Sequence, residues 1–339
     1  MSATPLGLEI NENRIRIADV RYKDGVIYLQ ALGLSESLPQ FFANISADIA
    51  MQKQAMIIHT LCADLKITNK LVNVVLPDSV TYAQIVETPI LAEKELINSI
   101  RYLADEFIPM NIDDTYLDLE ILKTDTATGK LEILIVAAPK RIVDGVYKTL
   151  ELAGLQPNRL ETEVSAVGRL VSEVMKTKDF KEAYCIVNVG YTGSSIYLID
   201  NNTHRVVFIR NSKIGYEMIH KEIMVNLNLD SAHASAILMK PGDKSEQVVN
   251  ATLTSVKEVS AEIKRVVDIF VHKNNIPVNR VFTVNYSSQI YGFTAILEKL
   301  TGLAAEPLPL NTVYVPNTVL KVFSSEITEF ASVVSTTMI

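Results

Sequence analysis

Two segments, about half a chain apart, place a polar side chain at or near the end of a short apolar run. In Leu6–Ala18 this residue is Glu9, and in Cys185–Tyr197 it is Asn188. A polar turn and a second strand-like run follow in both segments. Backbone N–H groups in such turns can surround phosphate oxygens, and a carboxylate can hold the water shell of Mg²⁺. The residue types therefore fit the binding of a phosphorylated ligand by two similar turns.

Each segment continues through another turn into a third strand. That turn is Asp24-Gly25 in the first copy, a strong hairpin signal, and Asn201-Asn202 in the second. A repeated strand–turn–strand–turn–strand unit predicts two homologous lobes that face each other across a cleft. This is the plan of the actin-like ATPases, whose two β-hairpins hold the phosphates of a nucleotide. We therefore expect an α/β, two-lobed, actin-like fold of the actin, Hsp70 and FtsA type.

Composition excludes several classes of function. The 339 residues carry a net charge of −7 without a basic cluster, which argues against nucleic acid as a partner. The longest apolar runs, such as Ile133–Ala138, are much shorter than the roughly 18 residues of a membrane span. Met1–Pro5 has no signal-like character, and Cys62 and Cys185 form no spaced motif. We expect a cytoplasmic protein that reaches a membrane only indirectly.

Periodicity predicts the elements of the first lobe and of an inserted unit. Helix Ile49–Lys66 and strand Leu71–Leu76 belong to the lobe. The pattern of the region from about Asn73 to Arg159 predicts a compact β-α-β-β-α subdomain. Its predicted strands are Val80–Val86, Tyr116–Leu122 and Leu131–Ala138, and its helices are Ala92–Phe107 and a segment from Pro139 to Gly154.

The second lobe is predicted to begin near Tyr184. Three prolines within Glu306–Pro316 predict a loop that crosses between elements. An apolar helix, Ile327–Ile339, is expected to return to the first lobe. The remaining predicted elements are helices Glu217–Asn226, Ser231–Lys240, Glu246–Lys273 and Ile290–Leu300 and strand Arg280–Asn285.

Four segments in order resemble the PilM family of type IV pilus assembly proteins, relatives of the division protein FtsA. They are Ile100–Glu120 ("IRYLADEFIPMNIDDTYLDLE"), Val136–Leu160, Glu161–Leu170 and Asn228–Met239 ("NLDSAHASAILM"). The resemblance covers nearly the whole chain. FtsA proteins end in a basic amphipathic helix, whereas Val333–Ile339 has no Lys or Arg, which favours PilM.

The resemblance implies a division into three parts. Residues 1–72, 160–182 and 317–339 would form the first actin-like lobe, subdomain 1A. Residues 73–159 would form the inserted FtsA/PilM-type subdomain, 1C. Residues 183–316 would form the second lobe, subdomains 2A and 2B.

The resemblance also implies a nucleotide site. The positions carried over are Glu9, Asn11, Asn13, Glu163, Asn188, Gly190, Thr192, Gly193, Ser194, Asn285 and Tyr286. Several depart from the family pattern, since Asn11 replaces a turn glycine, Asn188 an aspartate and Asn285-Tyr286 a glycine pair. Arg14 also replaces a small hydroxyl residue, and Ser335 a helix glycine. No intact pair of metal-binding carboxylates remains, so we expect weak or lost binding of ATP and Mg²⁺, no catalytic residues and no hydrolysis.

By resemblance, the protein is a cytoplasmic scaffold, peripheral at the inner membrane, that binds the cytoplasmic tail of a PilN-like protein. The tail is expected in a groove between the first lobe and residues 73–159, and pilus motor ATPases or platform proteins are further expected partners. One alternative is an active, FtsA-like ATPase whose nucleotide state switches partner binding. Another is a cytoplasmic assembly protein of a type II secretion system.

Overall fold

The computed structural model describes residues 4–338 apart from 93, 97, 102–107, 176–182, 201 and 204. The chain divides into two compact units. The first comprises Met1–Asp19 and Leu32–Ser165, and the second comprises Val20–Ala31 and Ala166–Ile339.

Two five-stranded sheets have the same strand order. The first sheet has the order β3-β2-β1-β4-β8 and consists of β1 (Leu6–Ile10), β2 (Arg14–Lys23), β3 (Val26–Glu36), β4 (Leu71–Leu76) and β8 (Gln156–Thr162). The second has the order β11-β10-β9-β12-β13 and consists of β9 (Ala183–Val189), β10 (Ser194–Asp200), β11 (Arg205–Ser212), β12 (Val278–Asn285) and β13 (Ala304–Pro307). In each sheet an antiparallel hairpin is followed by two parallel strands. The predicted repeat is therefore confirmed.

A third sheet, of order β5-β7-β6, is antiparallel throughout. Its strands are β5 (Tyr82–Pro89), β6 (Thr115–Asp125) and β7 (Lys130–Pro139). Residues 94–96 and 98–101 are helical, and Leu96 and Ile100 pack in the core beneath this sheet. The rest of the predicted helix Ala92–Phe107 lies mostly outside the described residues.

Nine further helices complete the described part of the chain. They are α1 (Asp48–Asp64), α2 (Lys140–Leu152), α3 (Glu163–Met175), α4 (Tyr216–Leu227), α5 (Ser231–Met239), α6 (Ser245–Asn274), α7 (Phe293–Thr301), α8 (Thr318–Val322) and α9 (Ala331–Ser335). The predicted helix Ile49–Lys66 is confirmed as α1, which buries Met51, Ala55, Ile58 and Cys62 on one face and ends just before Leu65. Helices α1 and α2 share one core with β1 and β4.

The ends of the predicted insertion coincide with strands of the first sheet. The predicted boundary between residues 72 and 73 falls inside strand β4, which runs from 71 to 76 and pairs with β1 and β8 on both sides of that boundary. Helix α2 also packs in the core of this sheet rather than beneath the three-stranded one. The predicted boundaries of the three parts stay a prediction.

The C-terminal segment differs from the predicted helix Ile327–Ile339. It consists of a 3-10 turn, Ile327–Phe330, followed by the five-residue helix α9. The sequence after Ala331 is rich in β-branched and hydroxyl residues, which favour helices weakly. The Thr337 hydroxyl donates to the Val334 carbonyl at 2.7 Å, an alternative to continued helical bonding.

The predicted crossing loop Glu306–Pro316 also begins later than expected. Glu306 and Pro307 end β13, which lies at the edge of its sheet. Proline is tolerated at an edge strand because no ladder hydrogen bond is required there.

Candidate functional site

In the first unit, β1, β4 and β8 are parallel, so their carboxyl ends meet at one edge of the sheet. Glu9 lies beside Val75 near this edge, and Glu163 follows directly after β8. Ligand-binding residues of parallel sheets are usually found at such edges. The sheet therefore brings Glu9 and Glu163 to the same side of the first unit.

Glu9 is fully buried and paired with a cation. Its register partner on β2 is Arg16, and the guanidinium Nη1 donates to Glu9 Oε1 at 2.5 Å. Both side chains have no exposed surface. Asn11 Nδ2 donates to the same carboxylate oxygen at 2.9 Å. The first predicted carboxylate is therefore engaged by two donors of its own hairpin.

Asn11 closes the first hairpin turn. Its Oδ1 accepts from the backbone N–H of Asn13 at 3.0 Å and of Arg14 at 2.8 Å. The Asn13 carbonyl in turn accepts from the Ser37 N–H at 2.9 Å. This is an Asx-type turn, in which an asparagine side chain replaces a backbone acceptor. Two N–H groups of the turn are thus bonded within the hairpin.

Glu163 begins α3 and is 3% exposed. Its Oε2 accepts from the Asp78 N–H at 3.1 Å, and Asp78 Oδ1 accepts from the Val164 N–H at 3.2 Å. This reciprocal pair joins the loop after β4 to the first turn of α3. Carboxylates are favourable there because the N–H groups of a helix N-terminus lack partners within the helix.

In the second unit, β9 and β12 are parallel, and Asn188 lies beside Val284 close to their carboxyl ends. Asn188 is 1% exposed, and its Nδ2 donates to the Tyr197 hydroxyl at 3.3 Å. Its Oδ1 has no hydrogen-bond partner among the described residues. Asn285 is the next residue of β12, so two of the predicted positions meet at this edge.

The second hairpin turn is held against the start of α4. The carbonyls of Gly190 and Tyr191 accept from the N–H groups of Tyr216 and Glu217 at 3.0 and 2.8 Å. Gly215 makes this approach possible, since a Cβ there would lie 2.5 Å from the Gly193 nitrogen and the Tyr191 oxygen. Of the other predicted positions, Thr192 is exposed, and the Ser194 hydroxyl donates to the Ile214 carbonyl at 2.6 Å.

Aromatic rings are stacked beside this turn. Tyr286, which is fully buried, lies with its ring centroid 5.0 Å from that of Tyr216 and 5.9 Å from that of Tyr191. The His220 ring also stacks on Tyr216, with the two ring centroids 5.8 Å apart. We call Tyr191, Tyr216, Tyr286 and His220 the aromatic cluster. The predicted position Tyr286 is thus part of the core of the second unit.

The backbone at Asn285 has a conformation that suits glycine. Its φ of 63° and ψ of −135° lie in a region that residues with a side chain rarely adopt. The position therefore retains the geometry of a glycine although the residue is asparagine.

Two features were missed by reasoning from sequence. Arg16 was missed because its pairing with Glu9 depends on the register of the hairpin. The aromatic cluster carries no local signal, because its tyrosines come from three distant segments. Within the described residues, no group of three or more histidine, cysteine and acidic side chains could hold a metal ion, and no helix could span a membrane.

Comparison with known proteins relates these features to a family. The family model described as "Type IV pilus assembly protein PilM" matches residues 7–317. A solved structure described as the PilM-PilN type IV pilus biogenesis complex matches with a TM-score of 0.82 and 19% identity, covering 99% of this chain and 98% of that chain.

Two more distant structures share the fold. The ethanolamine utilization protein EutJ from Carboxydothermus hydrogenoformans has a TM-score of 0.55 at 10% identity, covering 98% of this chain and 89% of its own. MreB 5 of Spiroplasma citri bound to AMPPNP has a TM-score of 0.52 at 9% identity, covering 99% and 96%. The predicted actin-like ATPase fold is confirmed. With a family model that matches most of its length, the chain belongs to the PilM family of type IV pilus assembly proteins.

Proposed function

We propose that this protein is a cytoplasmic scaffold of type IV pilus assembly that binds the cytoplasmic tail of a PilN-like inner-membrane protein. The observation that carries the proposal is the family match over residues 7–317. The similarity to a PilM protein solved in complex with PilN supports it, because almost all of both chains aligns. Through this partner the protein would link the inner-membrane complex to the pilus motor.

A surface in the first unit suits a peptide partner. Tyr116 near the start of β6 is 48% exposed, and its hydroxyl donates to Asp144 of α2 at 3.0 Å, which raises the pKa of Tyr116. The Lys140 Nζ lies 5.9 Å from the centre of the same ring. We call Tyr116, Lys140, Asp144 and the exposed Tyr147 the tyrosine surface. It lies where the edge strand β6 of the inserted sheet meets α2.

The charge around this surface favours a basic partner. Four acidic side chains on and just before β6 are exposed: Asp113, Asp114, Asp118 and Glu120. Cytoplasmic segments next to a membrane span carry an excess of lysine and arginine. An extended tail could pair with the edge strand β6, as in other peptide complexes of sheet edges.

The test is calorimetric titration with a synthetic tail of the PilN-like protein from the same organism. We expect micromolar affinity, on the order of −8 kcal/mol. Tyr116→Ala should weaken binding about tenfold, since aromatic anchors dominate such interfaces. Asp144→Ala should have a similar effect, because it removes the hydrogen-bond partner of Tyr116 and a charge that attracts a basic tail. Tyr28→Ala is the matched control, because Tyr28 is a 42% exposed strand tyrosine of the second unit. If the parent and the three variants bind the tail with equal affinity, the tail does not bind at the tyrosine surface.

We further propose that ATP hydrolysis is lost. Glu9 is engaged by Arg16, whose charge repels Mg²⁺, and Asn188 offers only a neutral amide. Turn N–H groups at Asn13 and Arg14 are bonded to Asn11, and Tyr286, one of the positions carried over for the nucleotide, is stacked in the aromatic cluster. These observations support the proposal that the fold no longer has a functional nucleotide site.

A nucleotide-switched ATPase remains the second candidate function. The observation that favours it is Asn188 Oδ1, a buried oxygen without a partner in the described part of the chain. Calorimetry with Mg-ATP separates the two functions. We expect no binding or only weak binding, whereas submicromolar affinity would support the switch.

We also propose that the protein reaches the inner membrane only through its partner. Fractionation of cells that lack the PilN-like protein should leave this chain in the soluble fraction. Continued recovery with membranes in those cells would contradict the proposal.

A further inference from the structure

We propose that the edge strand β11 of the second sheet binds an extended acidic peptide of a partner protein, which adds a strand to that sheet. The two five-stranded sheets have the same strand order, and β3 and β11 are the edge strands at equivalent ends. The two edges differ in what covers them. This site does not involve the tyrosine surface, so the proposal is independent of the tail of a PilN-like protein.

The edge of β3 is paired with an extended segment of the chain itself. Tyr314 forms a parallel bridge with Ile27. The Ile27 N–H donates to the Val313 carbonyl at 2.7 Å, and the Val315 N–H donates to the Ile27 carbonyl at 2.9 Å. A short segment from a distant part of the sequence therefore satisfies the backbone groups of Ile27 at this edge.

The edge of β11 has no such segment within the described part of the chain. Residues 208–212 pair regularly with β10 on one side, and a bulge at Val207 ends this regular part. The outer edge of a strand is a template for another chain, because its N–H and C=O groups have no ladder partner. The equivalence of the two edges therefore predicts that residues 208–212 accept an extended segment, as β3 does.

The side chains of β11 leave apolar surface open beside this edge. Residues 206–209 form a continuous apolar run, and none of them is fully buried. Phe208 and Ile209 point to opposite faces of the sheet because successive side chains of a strand alternate. Both faces therefore offer apolar contacts to an added strand. Arg205 and Arg210 stand at the two ends of the run and are exposed.

The charge at this edge selects an acidic partner. Arg210 Nε lies 3.4 Å from Glu262 Oε2 of α6, and Arg265 Nη1 lies 2.9 Å from Glu262 Oε1. The Glu262 side chain is 23% exposed, whereas those of Arg210 and Arg265 are 51% and 61% exposed. The two guanidinium groups therefore face solvent more than the carboxylate between them. Lys213, directly after β11, is also exposed.

The acidic groups beside β11 are fewer than the basic ones. Asp200 lies opposite Arg205 in the register of β10 and β11. With Glu262, it provides two acids against the four bases at positions 205, 210, 213 and 265. Charge complementarity gives specificity to such an interface, while backbone pairing fixes the extended conformation of the partner.

The absence of tryptophan from the chain permits a direct test. The probe is the peptide Ac-Glu-Val-Thr-Val-Trp-Val-Thr-Glu-amide, whose indole fluorescence is free of tryptophan background from the protein. We expect saturable binding, seen as a rise in anisotropy. A second peptide with lysine in place of both glutamates should bind about tenfold more weakly. A third peptide, with its four central amides N-methylated, should not bind because it cannot donate to a strand edge.

Hydrogen exchange locates the bound peptide. The amides of residues 208–212 should exchange about fivefold more slowly when the acidic peptide is bound. Exchange in β6 should be unchanged. This measurement separates the edge of β11 from the tyrosine surface, so a negative result here leaves the proposed function intact.

A charge reversal tests the basic groups. Arg210→Glu should weaken binding of the acidic peptide about tenfold and strengthen binding of the lysine peptide. Lys221→Glu is the matched control, because Lys221 is also an exposed base in an ion pair, with Glu217 on α4. It should bind both peptides like the parent. Both variants should unfold at nearly the temperature of the parent, since exposed ion pairs contribute little to stability.

Several results would overturn the proposal. They are no saturable binding, equal binding of the acidic and lysine peptides, binding of the N-methylated peptide, and unchanged binding in Arg210→Glu. Protection of residues 208–212 that rises with protein concentration in the absence of peptide would also overturn it, because a second copy of the chain would then occupy the edge.

Discussion

In the first sheet the end of β1 is occupied by an ion pair and amides, whereas at the corresponding end of the second sheet tyrosine rings are stacked. Glu9, Arg16 and Asn11 form the first arrangement. Tyr216 and Tyr286 form the centre of the second. Both sheets have the same strand order, so topology alone does not determine the chemistry at their edges.

The difference concerns which forces hold each edge. A buried ion pair is strongly coupled, because either charge alone is costly in a low dielectric. Stacked rings depend mainly on buried area and packing, and the coupling between two rings adds only about 0.5–1.5 kcal/mol to their burial. The same type of substitution should therefore have different consequences in the two units.

The largest effect is expected for Arg16→Met. This change leaves the Glu9 carboxylate buried without its cation and should destabilise the protein by about 3–5 kcal/mol. Urea unfolding followed by circular dichroism measures the loss. The double variant Glu9→Gln with Arg16→Met removes both charges and should recover most of the stability. If Arg16→Met alone stays within about 0.5 kcal/mol of the parent, the range of ordinary surface substitutions, the ion pair is not what holds this edge.

Tyr286→Ala should have the next largest effect. It removes a fully buried ring that contacts Tyr191 and Tyr216, and large-to-small changes of this kind cost about 3 kcal/mol. The control is Tyr28→Ala at an exposed strand position, which should stay within about 0.5 kcal/mol of the parent. Unlike the loss in Arg16→Met, this loss should not be restored by a second substitution at a partner residue. Equal stability of the two variants would mean that the aromatic cluster contributes little.

Asn11→Ala should have a smaller effect on the first edge. It removes the acceptor for the N–H groups of Asn13 and Arg14 and a donor to Glu9. Loss of a comparable cap costs about 1–2 kcal/mol. Asn11→Asp retains the acceptor but places a second carboxylate beside Glu9, so it should not restore stability. If Asn11→Asp is as stable as the parent, the amide donor is unimportant.

Much of the fold could be predicted because its signals are local. Strand β4 is the apolar run Leu71–Leu76 and ends where Pro77 begins a turn. The hairpin repeats were visible because apolar runs and turn residues recur in the same order. The helix expected over Ile327–Ile339 is shorter in the structure, since only Ala331–Ser335 is α-helical after a 3-10 turn, because Val, Ser and Thr have a low helical preference.

The site was harder to predict than the elements that carry it. Substitutions at Asn11, Asn188 and Asn285 were visible as departures from a family pattern. The side chains that occupy these two sheet edges could not be predicted from sequence. The pairing of Glu9 with Arg16, for example, depends on strand register. The stacking of Tyr216 on Tyr286 depends on packing between segments that are distant in sequence.

The smallest effect should distinguish the two asparagines, Asn11 and Asn285, that the resemblance predicts to replace glycines. Asn285 has a φ of 63°, whereas φ at Asn11 is not positive. Asn285→Gly relieves backbone strain and should be about 1 kcal/mol more stable than Asn285→Ala, which keeps a Cβ in the same conformation. At Asn11 the order should reverse, since glycine adds only flexibility there and is about 0.5–1 kcal/mol worse than alanine. Urea midpoints of the four variants provide both comparisons. If the glycine variant is the more stable, or the less stable, at both positions, the two edges respond alike to a glycine. The contrast between the edges would then be limited to side-chain chemistry.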